Sequence, residues 1–360
     1  MLIFLYALPN FNFQDKREFV RMVKKEYRME ANGTTAIYNK YGKVDVKTWD
    51  RDRVRIEVSI RVRATTEDNA QEVFDRIQID FTNRPDLVKA QTEINGRGGS
   101  WWNWGSNSDD FNIDYEVFLP RSSKLDLQNS YGDAVVDPLG GDVRTDIKYG
   151  NLMLKGVGGK LNLALGYGNA NVLEARDLKA DLSYCKFTLN AARDIHLMSK
   201  YSKVNVGPAR NVDIESSYDK YDIREARSIH IQGRYDNYTI GQVGAISGTA
   251  KYSEFKVGEL VDSGNFNLEY GGAYVGKVTK GFDRIVLVGK YTDFKLNVEE
   301  GAAYTLDAKA DYAGIRYPQA MKVNHVSDHG TSQSVDGFME IQNARSLIEA
   351  RLDYGGLKID

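Results

Sequence analysis

The stretch YSKVNVGPARNVDIESSYDKYDIREARSIHIQGR, residues 201–234, decides the fold. Counting from Tyr201, apolar side chains stand at Val204 and Val206, then at Val212 and Ile214 before Tyr218. Counting from Tyr218, they stand at Tyr221 and Ile223, then at Ile229 and Ile231. Each run has period two, the pattern of a strand with one buried face. The tyrosine recurs at Tyr131, Tyr149, Tyr167, Tyr184, Tyr201, Tyr218, Tyr235, Tyr252, Tyr270, Tyr291 and Tyr312, in steps of 17 to 21 residues, and returns at Tyr354. A short unit repeated at a fixed step stacks on its own copies, because no single unit can bury a core. The chain is therefore expected to be all-β, a parallel β-solenoid (single-stranded β-helix) of about 12 coils, each a strand, a corner, a second strand and a turn. Right-handed winding is expected from the handedness of parallel crossovers.

Equivalent residues of successive coils then lie one strand spacing apart, about 4.8 Å, in columns along a rod of about 50 Å. Tyrosine forms one column, with its rings directed inward or towards the edge. Two residues before it stand small side chains, Ser199, Ser216, Gly233, Ala250, Gly289 and Ala310, which would leave room for a neighbouring ring. Pro138, Pro208 and glycines such as Gly156, Gly207, Gly241 and Gly258 fall between the strands as corner residues.

The tyrosine period does not run through residues 25–123, which are expected to form an N-terminal α+β cap, although YGKVDV at 41–46 already has the repeat's form. Val54, Ile56, Val58, Ile60 and Val62 alternate with charged residues as in a strand, and TEDNAQEVFDRI, 66–77, has helical spacing. Solenoid coils are expected over 124–360, with a loop insertion at about 318–343 before the last coil. Residues 1–14 begin with the apolar run MLIFLYAL, too short for a membrane span and lacking a basic start; they are expected to be the remnant of a signal peptide. The alternative is an apolar N-terminal strand.

Forty-eight Lys plus Arg against 50 Asp plus Glu leave a net charge of -2 with no basic block, which argues against nucleic-acid binding. Six prolines against 22 tyrosines suit strands whose ladders need every backbone N–H. The one cysteine, Cys185, excludes an internal disulfide.

YGKVDVKTW at 41–49, VFLP at 117–120 and the coils YGDAVV, YGNLML, YGNANV and YGGLKI together resemble a bacterial putative-adhesin family of exported β-solenoid proteins, common in Bacteroidetes-like bacteria and without an assigned activity. The resemblance spans residues 25–360. It implies a periplasmic, outer-membrane-surface or extracellular address and no catalytic residues, no cofactor, and a glycan or envelope protein as partner.

No phosphate loop, nucleophile elbow or multi-residue zinc pattern is present. Five places before their tyrosines, His196, Asp213 and His230 fall in one outward column, with Glu215 and Asp181 in the next. Such a patch would hold a metal or supply acid and base for polysaccharide cleavage; the plainer account is charge pairing between strands on a solvated face. His325 and His329, with Asp328 between, would bind zinc if helical. Trp101, Trp102 and Trp104 would stack on sugars, anchor at a partner or cover the cap, and Asp109, Asp110 and Asp114 nearby are oxygen donors of the kind calcium takes. The expectation is a non-catalytic exported surface-binding protein. The rivals are a carbohydrate-active β-helix enzyme, a lyase or hydrolase, and an envelope scaffold or signalling component.

Overall fold

A computed structural model describes residues 15–95 and 110–360. The first coil, β2 (Thr34–Lys40) and β3 (Val44–Trp49), follows an N-terminal strand β1 (Arg17–Arg28). The chain then leaves the stack through β4 (Arg53–Ala64), α1 (Glu67–Arg76), β5 (Ile77–Arg84), β6 (Leu87–Ile94) and β7 (Asp110–Pro120). It returns at β8 (Lys124–Ser130) and β9 (Ala134–Val136), which pair in parallel with β2 and β3. The expected cap is thus not one block over 25–123, because YGKVDV builds a true first coil, with Tyr41 stacked on Tyr131.

Regular coils follow: β10 (Val143–Lys148) with β11 (Asn151–Leu154), then β12 (Val157–Gly166), β13 (Asn169–Ser183), β14 (Lys186–Lys200), β15 (Lys203–Ser217), β16 (Lys220–Arg234), β17 (Asn237–Lys251), β18 (Glu254–Val278) and β19 (Arg284–Val298). Neighbours are parallel and in register, so Val204 meets Tyr221, Tyr221 meets Tyr238, and Tyr238 meets Phe255. In β13 the buried residues are Ala170 and Val172, then Ala175, then Leu178, Ala180 and Leu182. Period two is broken by three-residue steps on either side of Ala175, where the chain turns two corners; the tyrosine makes the third. The corner backbones of adjacent coils approach closely. A Cβ on Gly207 would lie 1.9 Å from the Asn190 carbonyl oxygen.

At the tyrosine corner every ladder residue takes a left-handed backbone, with φ between 51° and 61°. The N–H of Tyr201 donates to the Ser217 carbonyl and that of Tyr218 to the Arg234 carbonyl, so the backbone ladder runs through the turn. The period-two rule does not extend into a left-handed residue, and the rings turn outward. They are about half exposed and stack face to face, with centroids 4.7–5.1 Å apart and planes within 12° along the whole column. The small residues two places before the tyrosine make room for a different ring, the inward one three places after it. A Cβ on Gly289 would meet Phe294 at 2.6 Å, and one on Gly233 would meet the Tyr238 hydroxyl at 2.0 Å.

A left-handed L-residue costs about 1–2 kcal/mol, which glycine avoids. Tyr201→Ala keeps that cost and loses two stacked neighbours; Tyr201→Gly loses the same neighbours but releases the backbone. The glycine variant should therefore be more stable than the alanine variant by about 1 kcal/mol, the reverse of the usual order in a strand, as read from thermal or urea midpoints. An alanine variant at least as stable would remove the backbone explanation.

Both ends of the rod are closed by antiparallel strands. At the N-terminal end β7 continues in parallel from β3 and β6 from β2; β4 and then β1 add antiparallel beyond β7 on one face, and β5 adds antiparallel beyond β6 on the other. Helix α1 plugs the space between, capped by the Thr66 side chain and burying Ala70, Val73 and Phe74. At the C-terminal end the expected order of coils fails. After β19 the chain skips a slot to form β20 (Tyr304–Asp311) and β21 (Gly314–Arg316). It next makes a hairpin of β22 (Lys322–His329) and β23 (Ser332–Met339), then returns as β24 (Ser346–Asp353) and β25 (Gly356–Ile359) to fill the slot. β24 is parallel to β19 on one side and β20 on the other, and Tyr354 stacks between Tyr291 and Tyr312 at 4.8 Å from each. The insertion at 318–343 is thus largely a hairpin rather than a loop. Its β23 covers the outer edge of β20, as an exposed sheet edge requires.

Candidate functional site

The register sets His196 beside Asp213, and Asp213 beside His230, one coil apart. His196 Nδ1 lies 2.8 Å from Asp213 Oδ2, whereas His230 Nε2 is 3.3 Å from the Gln232 amide. Asp181 and Glu215 belong to the next column but are separated by Met198, two strand spacings apart. The five residues share a face without converging on a point, and among the described residues no group of three or more His, Cys, Asp or Glu side chains is placed to hold a metal.

Beside this column runs a groove of about 560 Å³, whose floor includes Leu161, Leu178, Ile195, Val212 and Ile229. Its rim is an ion-pair ladder. Arg193 bridges Asp177 at 2.7 Å and Asp194 at 2.8 Å, and Arg210 grips both oxygens of Asp194. Burial raises the Asp194 carboxyl, but hydrogen bonds from Arg210, Arg193 and Asn211 outweigh it and hold the group below the usual carboxylate range. These charges satisfy one another between coils, which is the pairing on a solvated face that the sequence also allowed.

His325 and His329 lie on β22. In a strand, residues four apart are about 13 Å distant, so the zinc spacing of a helix does not arise. His325 faces Asp336 across the hairpin and His329 faces Ser332. Asp114 accepts from the Lys43 N–H at 2.8 Å and pairs with Arg61, while Asp110 lies 3.9 Å from Arg63; both are engaged within the N-terminal sheet. Trp101, Trp102, Trp104 and Asp109 lie outside the described residues.

Two columns flanking the tyrosines escaped the reading of the sequence. Immediately after the tyrosine, glycine at 132, 150 and 168 gives way to Cys185, Ser202, Asp219, Asp236 and Ser253, all buried. Asp219 accepts from Ser199 Oγ at 2.6 Å and from the Ser202 N–H; Asp236 accepts from Tyr238 Oη at 2.8 Å, Ser216 Oγ at 3.0 Å and the Asp219 N–H at 2.7 Å. Burial pushes Asp219 up to about 6 despite the hydrogen bonds it accepts, and pushes Asp236 up as well. It also raises the Cys185 thiol, which disfavours the reactive thiolate. Two places after the tyrosine, Lys186, Lys203 and Lys220 stand in register. They border an open groove of about 930 Å³ beside Tyr184, Tyr201 and Tyr218.

No family model matches the chain, and no curated protein matches it. Solved structures with likeness to it are mainly described as putative adhesins. One from Parabacteroides merdae is 9% identical, with 94% of this chain and 96% of that one covered and a TM-score of 0.31. A putative cell adhesion protein from Clostridium sporogenes is 8% identical, with 96% and 98% covered and a TM-score of 0.19. A putative lipid binding protein from Parabacteroides distasonis is 12% identical, with 94% and 96% covered and a TM-score of 0.27. Likeness at these levels concerns the fold and carries no further weight.

Proposed function

We propose that this chain is a non-catalytic, exported β-solenoid of the cell envelope that acts as a surface binding protein. The observation that supports this reading best is the mutual pairing of outward charges between coils. Arg193 and Arg210 occupy Asp177 and Asp194, and His196 occupies Asp213. A glycosidase needs two carboxyl groups flanking one bond, one of them free to give up a proton. Here Asp177 and Asp194 are engaged by arginines, and Asp181, Asp213 and Glu215 are spread over separate coils and columns rather than set as a pair about one bond, an arrangement suited to a rigid face with repeating contacts. Stacked repeats present extended faces of the kind that repeat proteins use for binding.

Export is a separate part of the proposal, motivated by the apolar start of the chain and the resemblance of its coils to envelope adhesins. Fractionation of the source cells, with an antibody raised against the purified chain, is expected to find it in the envelope or outside the cell and accessible to protease added to intact or osmotically opened cells. Recovery in the cytosolic fraction alone would overturn the envelope assignment.

A further inference from the structure

We propose that the groove beside the tyrosine ladder, at Lys186, Lys203 and Lys220, is a site for a linear acidic polysaccharide; the inference rests on the reading of the chain as a binding rod. The three lysines lie directly opposite one another in parallel strands. Like charges so placed destabilise a sheet, and at comparable places the chain supplies its own counter-charge: Asp177 faces Asp194 and Arg193 bridges the two, and Lys251 faces Arg234 and pairs with Glu269. Lys155 pairs with Asp137 and Lys277 with Glu259. Among the described residues none of the three lysines forms an ion pair, and all three are exposed on the groove. Three uncompensated cations in one column are what an anion outside the chain would neutralise.

The shape of that anion follows from the neighbouring tyrosines. Each ring from Tyr184 to Tyr235 is sandwiched between stacked neighbours 4.7–5.1 Å away, so its faces are covered. The ladder cannot offer a face to a nucleobase, the interaction on which single-stranded nucleic-acid binding relies, nor to the face of a sugar ring. It presents edges and hydroxyls, which suit hydroxyl-rich partners. One lysine per coil gives a cation every strand spacing, about 4.8 Å, the scale of one pyranose in an extended chain. A polymer with a carboxylate or sulfate on successive sugars would meet one lysine per sugar while its hydroxyls met the tyrosine edges.

The test is affinity electrophoresis of the intact chain through polygalacturonate, with dextran as the neutral control, for the wild type and the triple variant Lys186→Gln, Lys203→Gln, Lys220→Gln. The wild type should be retarded by polygalacturonate and not by dextran, less so as salt is raised, and the triple variant should bind on the order of tenfold more weakly. Its thermal midpoint should not fall, since substitution relieves repulsion. Equal retardation of both proteins would overturn the site, and equally strong retardation by single-stranded DNA would overturn the ligand class. No retardation by polygalacturonate, with retention on dextran or on envelope protein, would overturn this inference while leaving the binding rod intact.

Discussion

Ending the chain at residue 343 should destroy the cooperative folding of the C-terminal end of the rod, the largest effect expected of any change considered. The deleted segment is not a terminal coil that could fray. β24 and β25 lie between β19 on one side and β20 with β21 on the other, and they bury Ile348, Ala350, Leu352, Leu357 and Ile359. Four large aliphatic side chains at about 1.5–3 kcal/mol each represent on the order of 10 kcal/mol of burial, comparable with the whole stability of an ordinary domain. Their loss would also open two parallel edges at once, β19 and β20, and unpaired edges recruit other chains. The truncated protein is expected to self-associate and to lose protection of β20 to β23 in hydrogen exchange. A synthetic peptide of residues 344–360 should restore the monomer by filling the slot. A monomeric truncated chain with an unchanged melting profile would contradict the out-of-order threading.

Lowering the pH from 7.5 to 5 should stabilise the protein, where loss of surface ion pairs alone would weaken it. Asp219 titrates near 6 when folded against an ordinary value of 3.8, because burial disfavours its charged form; Asp236 is raised in the same direction. A carboxyl whose folded value is the higher one binds more protons in the folded state. Its contribution is fully present below 3.8 and lost as the pH rises through about 6. Between pH 7.5 and 5 this amounts for Asp219 to on the order of 1 kcal/mol. The carboxylates shifted the other way, Glu57, Asp194, Glu299 and Asp360, lie below their ordinary values and begin to count only at more acid pH. Urea midpoints at pH 7.5, 6 and 5 should rise in that order, and Asp219→Asn should flatten the rise. A midpoint that stays level or falls between pH 7.5 and 5 would show that the two buried carboxyls take up no more protons in the folded chain than in the unfolded one, so that burial does not raise them.

The tyrosine period and the paired apolar positions made the coil readable, because a repeat stated many times in register leaves few other ways to bury its apolar faces. The slot each coil occupies was not readable. Self-similar coils carry no label, and the segment from Leu347 to Ile359 fits beside β19 as well as it would fit beyond β20. What decides the slot is the hairpin at 322–339, which covers β20 and forces the chain to return inside it. The outward turn of the rings was hidden for a different reason: strand alternation stops at a left-handed residue. The buried acids had a visible signal in the short side chains at Cys185, Ser202, Asp219, Asp236 and Ser253, spaced 17 residues apart where glycine stands in other coils. The lysine column was equally visible at the same step. In both columns the charged type runs through only two or three successive coils, with residues such as Gly, Ser or Asn in the same place in others, so neither recurs often enough to stand out as the tyrosine does.

The central claim, that the chain binds a surface glycan or protein without turning it over, is tested most directly by a glycan-array screen of the purified chain with mass analysis of every polymer it retains. Retention of one or more polymers, acidic ones foremost, with their masses unchanged after prolonged incubation is the predicted result. Shortened or unsaturated products would contradict it and would bring the His196, Asp213 and His230 column back as an acid and base site.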